Sequence, residues 1–358
     1  MNNNLVFLSD KECDNNKILF NATIKDAVEI LENGKLKIVL VIDENNVLKG
    51  TVYDGDIRRA LLKGLSLSCS IDKVMTSNYI KVSKQVSYKE VKEKMQKNSI
   101  FHVPVTNEQD KLLGLHVLDN HGFEKDSKIY PNSVLLMAGG RGERLMPLTE
   151  NCPKPLIRIN GKPLLEIILE QCMKAGLRNF YISVHYLSDQ IISYFGNGEK
   201  WDISISYLHE EKPMGTAGAL SLLPKKINHP ILIMNGDILT KINIPQFIEF
   251  HKNNFADITI AGSEHYYTSP YGVVEVDGIN FKSIVEKPTF KNFINAGIYI
   301  INPEIIKCLN DKEYLDMPDL LNKRLGGNYK KVVYPIHEYW LDIGRIESLN
   351  KAKVEWEL

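Results

Sequence analysis

The sequence predicts an α/β protein in two parts: a small duplicated α+β module, then a larger domain built on an open sheet with helices on both faces. Three observations carry this expectation. A block spanning roughly residues 8–66 recurs 64 positions later without a gap. Beyond residue 133, short apolar runs alternate with stretches of helical periodicity. The first of those runs leads straight into "AGGRGERLMPLTENCPKPL" (138–156), a segment rich in glycine, arginine and proline.

Composition sets the bounds. A chain of 358 residues is long enough for two or three domains, each with its own core. Hydrophobic content of 44% and charged content of 25% are ordinary for a globular protein. Lys+Arg and Asp+Glu number 44 each, so no overall field draws the chain to nucleic acid or an acidic membrane, and any charge-based function is local. The five cysteines (13, 69, 152, 172, 308) form no CxxC pair, which argues against a disulfide framework or a zinc site. The opening "MNNNLVFLSDKECDNN" has a four-residue apolar run and no basic segment, unlike a secretory signal. No run approaches the ~18 apolar residues of a membrane span. A cytoplasmic location is the expectation.

In the first part, "VIDENNVLKGTVYDGD" from Val41 aligns with "VTNEQDKLLGLHVLDN" from Val105, and "ATIKDAVEIL" from Ala22 with "VSYKEVKEKM" from Val86. Gly50 falls on Gly114. Each unit reads as an amphipathic helix, a strand, a turn rich in Asn, Asp and Lys, and a second strand. One helix and two strands cannot bury their apolar faces alone, so two copies pack together. The pattern resembles a tandem pair of CBS domains, with units of about 8–66 and 67–125. The resemblance implies a nucleotide site in which Asp56 would hold ribose hydroxyls. Its counterpart is Asn120, however, and the Ser or Thr usual three residues earlier is Tyr53. The expectation is therefore that Asp56 acts as a turn or cap residue, that the module organises a homo-oligomer, and that nucleotide control is weak. "HGFEKDSKIYPNS", polar and carrying Pro131, suits a linker over 126–132.

The second part, 133–358, offers "SVLLMA", "NFYISV", "ILIMNGD" and "DITIAG" as strands, with "KPLLEIILEQCMKAG" and "PQFIEFHKNNF" as helices. Strands apolar on both faces and separated by helices imply a parallel sheet covered on both sides. Such sheets bind ligands at the carboxyl ends of their strands. The glycine-rich segment leaves the end of the first strand, where phosphates are held. A dinucleotide fingerprint would need a third glycine opening a helix, which Pro147 interrupts. A P-loop would need GK followed by Ser or Thr, whereas "NGKPL" supplies proline. What remains is a loop of successive backbone N–H groups cradling a polyphosphate, with Arg144 and Lys154 adding charge.

This segment resembles the signature of sugar-1-phosphate nucleotidyltransferases, GGxGxRLxPLT followed by PKPL. It matches from Gly139 through Leu156, with Glu143 standing where a Thr is common. The resemblance covers nearly all of 133–358 and implies a Rossmann-like mixed sheet of the GT-A-like kind. It places Ala138, Gly139, Gly140 and Gly142 on the nucleotide, with Glu211, Gly215, Thr216 and Ala217 of "EEKPMGTAGAL" closing over base and ribose. It assigns Asp237 of "NGD" and Asp342 of "YWLDIGR" to Mg²⁺. By itself, an Asp at the end of a strand is an ordinary turn former. Gly272, Glu286, Lys287 and Asn295 correspond to sugar-phosphate elements.

These residue types suit the chemistry. A sugar-1-phosphate oxygen attacks the α-phosphorus of a nucleoside triphosphate and pyrophosphate leaves in line, so two polyanions must be neutralised and aligned. One or two carboxylates plus phosphate oxygens suffice for Mg²⁺. Arg144 offers a planar fork to the β- and γ-phosphates, Lys154 a charge near the α-phosphate, and Lys287 one for the sugar phosphate. The attacking phosphate is already ionised, so no general base is needed. The segments at 210–220 and 184–191 look most like guanylyl-transferring members, with GTP as donor and glucosamine 1-phosphate favoured over mannose or heptose 1-phosphate as acceptor. A glucose-1-phosphate thymidylyltransferase is the alternative, and a catalytically silent nucleotide sensor is the reading from another class. The absence of hexapeptide repeats before Leu358 argues against a bifunctional uridylyltransferase.

Overall fold

The computed structural model describes residues 4–34, 36–98, 100–119, 128–310, 312–325 and 329–356. The chain divides into two compact units, Met1–Asp126 and Ser127–Leu358.

The first unit contains β1 (Asn4–Ser9), β2 (Lys17–Leu19), α1 (Ile24–Asn33), β3 (Val39–Ile42), β4 (Leu48–Val52), α2 (Asp54–Leu62), β5 (Val82–Ser83), α3 (Tyr88–Asn98), β6 (His102–Thr106) and β7 (Leu112–Asp119). The repeat survives at the level of strand register. β3 and β4 pair antiparallel with Val41 opposite Gly50, β6 and β7 with Val105 opposite Gly114, and each ladder carries an irregularity one residue further on. Helix α1 starts where Thr23 and Asp26 exchange hydrogen bonds as a capping box, and it buries Ile24, Ala27, Val28 and Leu31 on one face. β1, which lies mostly ahead of the first repeat, pairs along its length with β7 and so adds an edge to the second repeat's sheet. The repeat pattern has no copy of this segment, so it gave no hint of the pairing.

The second unit runs through β8 (Ser133–Met137), the short pair β9 (Arg158–Ile159) and β10 (Lys162–Pro163), α4 (Leu164–Lys174), β11 (Asn179–Val184), α5 (Ser188–Phe195), β12 (Ser204–His209), α6 (Gly215–Gly218), β13 (Ile231–Asn235), β14 (Ile238–Thr240) and α7 (Ile244–Asn253). It continues with β15 (Ile258–Thr268), β16 (Val273–Asp277), β17 (Asn280–Val285), β18 (Thr289–Ile301), α8 (Pro303–Lys307), α9 (Met317–Asp319), β19 (Lys331–Ile336), β20 (Trp340–Asp342) and α10 (Ile346–Glu355). The central sheet has the order β12-β11-β8-β13-β18-β15-β19. It is mixed. β12, β11, β8 and β13 are parallel, as are β15 and β19, but β18 runs antiparallel to both its neighbours. The apolar runs alone suggested a wholly parallel sheet. β18 returns from β15 with no helical crossover and so comes back antiparallel, while a run apolar on both faces reads the same in either direction.

Both faces are covered. Val134 and Leu136 of β8 face one core with Leu165, Ile168, Phe247 and Leu349 from α4, α7 and α10, whereas Leu135 faces the other with Leu220, Ile305, Met317 and Leu320. Beyond Ser263, where β19 stops, β15 and β18 continue as a two-stranded ribbon that carries the β16–β17 hairpin. Residues 128–132, expected as linker, are instead packed on this unit. Tyr130 is buried and its N–H donates to the Gly176 carbonyl at 3.0 Å, and Asn132 donates from Nδ2 to the Pro230 carbonyl at 2.7 Å. A polar stretch around a proline does not reveal that one aromatic ring is committed to a core. Asn120 lies outside the described residues. No helix among those described is long and apolar enough to cross a membrane.

Candidate active site

Strand β8 delivers the glycine-rich loop to the carboxyl edge of the sheet, next to the ends of β11 and β13. Among the described residues, the N–H groups of Gly139, Gly140 and Arg141 have no backbone acceptor. Successive backbone donors in a turn are the kind of group that holds anions. Gly142 then turns the chain with φ 67°, in the left-handed region. A Cβ there would stand 2.9 Å from Thr149 and 3.0 Å from Lys154, so only glycine fits between them. The buried Thr149 hydroxyl closes the loop by donating to the Gly142 carbonyl at 2.9 Å.

Two carboxylates meet at the next strand edge. Asp237 follows β13, its carbonyl accepts from Ile343 N–H at 2.9 Å, and β14 pairs with β20 so that Ile238 lies opposite Asp342. Lys154 Nζ contacts Asp237 Oδ2 at 2.5 Å. Desolvation first, and the like charge of Asp237 second, push the Asp342 carboxyl above the usual aspartate range, while Lys154, Arg144 and Arg345 pull it back down. Arg144, Lys154, Asp237 and Asp342 therefore act on one electrostatic neighbourhood, although they come from four separate stretches of chain. Two neighbouring carboxylates, one already countered by an ammonium, fit a divalent cation chemically. Among the described residues no cluster of three or more His, Cys, Asp or Glu could hold a metal by itself. Phosphate oxygens would have to complete the shell.

A cavity of about 320 Å³ opens beside this cluster. It gathers Ala138, Gly139, Gly140, Lys154, Gly215, Thr216 and Asp237 from the expected set. Gly215, at φ 76°, lies too close to the Leu315 carbonyl and the Asp316 carboxylate for a side chain, at 2.6 and 2.8 Å from an added Cβ. Thr216 donates to Asp316 Oδ1 from its N–H at 3.0 Å and its hydroxyl at 3.2 Å, and Ala217 N–H donates to the Leu315 carbonyl at 2.8 Å. Ala217 is thus buried structure, not cavity wall. These bonds hold the Asp316 carboxyl below its usual range.

Glu211 is exposed and pairs with Lys312, whereas its neighbour Glu210 lines the cavity. One Glu210 oxygen accepts from Met214 N–H at 3.1 Å. Burial pushes its pKa up, against Met214 N–H, the Ser183 hydroxyl and nearby His185, which pull it down. Two adjacent glutamates look identical in sequence, and both follow the end of β12 at His209, so strand alternation does not tell them apart. Sequence reasoning also missed Asn235, Tyr314 and Asp316. "KEYLDMPDL" carries no motif, and its role follows from packing against 214–218.

The sugar-phosphate candidates stand apart from this cavity. Asn295 donates to the Tyr299 hydroxyl at 2.6 Å and accepts from Gly297 N–H at 3.1 Å, and Gly297 abuts Asn235. That puts Asn295 near the cavity's edge. Gly272 and Glu286 adjoin each other at the base of the hairpin, where a Cβ on Gly272 would lie 2.8 Å from the Glu286 carboxylate. Lys287 is exposed beside them with φ 47°. In the first unit, Asp56 is spent on local structure. It accepts from Tyr53 N–H at 2.9 Å, as the third residue of α2, and pairs with Arg59.

Comparison with known proteins is consistent with this geometry. The family described as nucleotidyl transferase matches residues 133–357, and the CBS domain matches 15–63 and 71–115. A mannose-1-phosphate guanyltransferase of Pichia angusta is 32% identical over 224 residues, 59% of this chain and 60% of that protein. A mannose-1-phosphate guanylyltransferase catalytic subunit beta of Drosophila pseudoobscura pseudoobscura is likewise 32% identical over 59% of this chain and 59% of its own. The chain thus spans about 60% of the length of these curated relatives. Among solved structures, HddC from Yersinia pseudotuberculosis complexed with GMP-PN superposes with a TM-score of 0.51 at 28% identity, over 63% of this chain and all of that one.

Proposed function

Because the chain belongs to the nucleotidyl transferase family, we propose that it joins a sugar 1-phosphate to a nucleoside triphosphate, GTP before the others, releasing pyrophosphate. The observation that carries this reading is the grouping of Arg144, Lys154, Asp237 and Asp342 next to a cavity lined by Gly139, Gly140, Lys154 and Asp237. The loop N–H groups receive the triphosphate. Lys154 neutralises charge at the α-phosphorus, and Arg144 offers its fork to the β- and γ-phosphates, where charge builds as the α–β bridging bond breaks. Asp237 and Asp342 would hold Mg²⁺, which supplies Lewis-acid neutralisation of phosphate oxygens. Lys287 takes the sugar phosphate, with Gly272, Glu286 and Asn295 towards the sugar. The reacting phosphate oxygen forms its bond to the α-phosphorus without giving up a proton. These charged groups support a working enzyme over a silent sensor.

Guanine rests on Glu210. A carboxylate in the base region accepts two hydrogen bonds at once, and guanine's N1–H and N2–H₂ provide two adjacent donors. Thymine and uracil present one N–H between two carbonyls, so a second carboxylate oxygen would face another acceptor. The GMP-PN bound to HddC and the relatives named for mannose 1-phosphate support the same base, and they put mannose beside glucosamine 1-phosphate as acceptor. Assembly through the CBS pair with weak nucleotide control remains part of the proposal, supported by Asp56 being occupied as a helix cap.

The test is pyrophosphate release with Mg²⁺, the four common NTPs and glucosamine, mannose, heptose and glucose 1-phosphates. GTP is expected to exceed the other donors by at least tenfold in kcat/KM, and Glu210→Gln to narrow that gap. Equal use of dTTP, or a Glu210→Gln variant with wild-type selectivity, would remove the guanine assignment. Absence of turnover with every pair would favour the sensor.

A further inference from the structure

Among the described residues that line the nucleotide cavity, one is aromatic, Tyr314. It is 59% exposed and belongs to neither core of its unit. An aromatic face left in water contributes little to folding, yet this ring is tethered at its far end. Its hydroxyl donates to Asp316 Oδ2 at 2.9 Å, while Oδ1 of the same carboxylate accepts from the Thr216 N–H and hydroxyl. The backbone beneath it is pinned as well. Leu315 N–H donates to the Met214 carbonyl at 2.9 Å, and the Leu315 carbonyl accepts from Ala217 and Gly218. On either side, Lys312 pairs with Glu211 and Glu313 with Arg324. Tyr314 therefore stands against 214–216, beside the loop whose Met214 N–H bonds Glu210.

We propose that Tyr314 is the surface on which the base of the nucleoside triphosphate stacks, and that it favours a purine. This rests on the reading of the cavity as the triphosphate site. A nucleobase presents a hydrogen-bonding edge and two apolar faces. Glu210 answers the edge, and Tyr314 is the one lining side chain with a ring to answer a face. Stacking accepts any base, since each has a π-face, and it strengthens with overlap, so the fused rings of guanine gain more than the single ring of uracil. The tether helps. A tyrosine has two side-chain torsions, and one already held through its hydroxyl loses little freedom when a base settles on it. Edge and face are then read by different residues, Glu210 choosing among bases of one size and Tyr314 favouring the larger. Tyr314 touches the base and not the reacting phosphates, so its effect falls on nucleotide affinity.

The test compares full-length wild type with Tyr314→Phe and Tyr314→Leu. Both variants lose the bond to Asp316, but only leucine loses the ring. Calorimetry with Mg²⁺ gives dissociation constants for GTP, UTP and tripolyphosphate, with no sugar phosphate present and hence no turnover. GTP is expected to bind Tyr314→Leu about tenfold more weakly than wild type, and Tyr314→Phe nearly as well as wild type. UTP should lose less than GTP in the leucine variant, so the ratio between the two narrows. Tripolyphosphate, which has no base, should bind all three proteins alike. Equal GTP affinity in the three proteins would overturn the stack. Equal losses in Tyr314→Phe and Tyr314→Leu, or a tripolyphosphate loss as large as the GTP loss, would also overturn it, leaving Tyr314 as a tether for 214–218. Those outcomes leave the triphosphate site standing, whereas a wild-type protein that bound none of the three ligands would remove that site and the stack together.

Discussion

Around the nucleotide cavity, Thr216, Ala217 and Gly218 each donate a backbone hydrogen bond into residues 315–316, and Gly142 is wedged between Thr149 and Lys154. On the β16–β17 arm, Gly272, Glu286 and Lys287 stand on strands and turns with almost nothing buried beneath them. On the proposed reading the two substrates meet different surfaces: the triphosphate side is held before the ligand arrives, and the sugar side must be ordered when it arrives. Ordering costs appear in affinity, so faults on the cavity side should damage the chemical step and faults on the arm should damage acceptor KM.

The strongest test of that contrast is at the carboxylates. Asp237→Asn or Asp342→Asn should lower kcat by about a hundredfold or more at saturating Mg²⁺, with an unchanged circular dichroism spectrum. Substantial turnover in either variant would break the two-carboxylate site. Arg144→Lys comes next. A point charge cannot replace a bidentate fork, and the expected loss is again about a hundredfold in kcat, whereas a change confined to the sugar-phosphate KM would place Arg144 on the wrong substrate. Asp316→Ala touches no substrate but removes the anchor of 214–218. Two hydrogen bonds to a charged group, each about 1.5–3 kcal/mol, shared between folding and binding, should raise the KM for the nucleotide about tenfold and leave the acceptor KM alone.

A smaller effect follows from pH. The folded pKa of Asp342 is raised, so its carboxylate is disfavoured in the fold above that pKa. Stability attributable to this group is gained as pH falls through the folded value towards the unfolded one, about 3.9. Asp342→Asn should therefore match or slightly exceed the wild-type Tm near neutrality, with the difference closing under acid conditions, while wild-type activity falls on the acid side as the carboxylate protonates. A variant Tm well below wild type at neutral pH would make Asp342 a structural residue. Smallest of all, Asp56→Ala should cost about 1 kcal/mol as a lost cap contact and leave kinetics unaltered by added AMP or ATP.

Part of what the sequence revealed followed local rules. Gly142 and Gly215 show as glycines because a side chain there would clash, whereas Asp237 and Asp342 show only through the resemblance to a family signature, since an Asp at a strand end reads by itself as a turn former. The 64-residue repeat was legible down to equivalent positions, Gly50 opposite Val41 and Gly114 opposite Val105. What stayed hidden depends on long-range packing. Which of Glu210 and Glu211 faces inward is decided in the loop after β12, where Met214 N–H bonds Glu210, and Asp316 acts through a turn a hundred positions from Thr216. The direction of β18 and the attachment of β1 to β7 are likewise choices of partner, which composition does not encode.

The short run at 128–132 has a consequence for how the two halves of the gene product can be taken apart. Tyr130 and Asn132 fasten it to the back of the transferase unit, Lys128 pairs with Glu249 at 3.0 Å, and Gly176 leaves room for the Lys128 carbonyl where a Cβ would approach to 2.0 Å. The natural seam therefore lies upstream of Lys128. A fragment begun at Ser133 would lose this clasp and open a hole over α4, and the resulting fragility would be mistaken for dependence on the repeat module. A fragment begun before Lys128 keeps the clasp, and only such a cut measures what the module itself contributes.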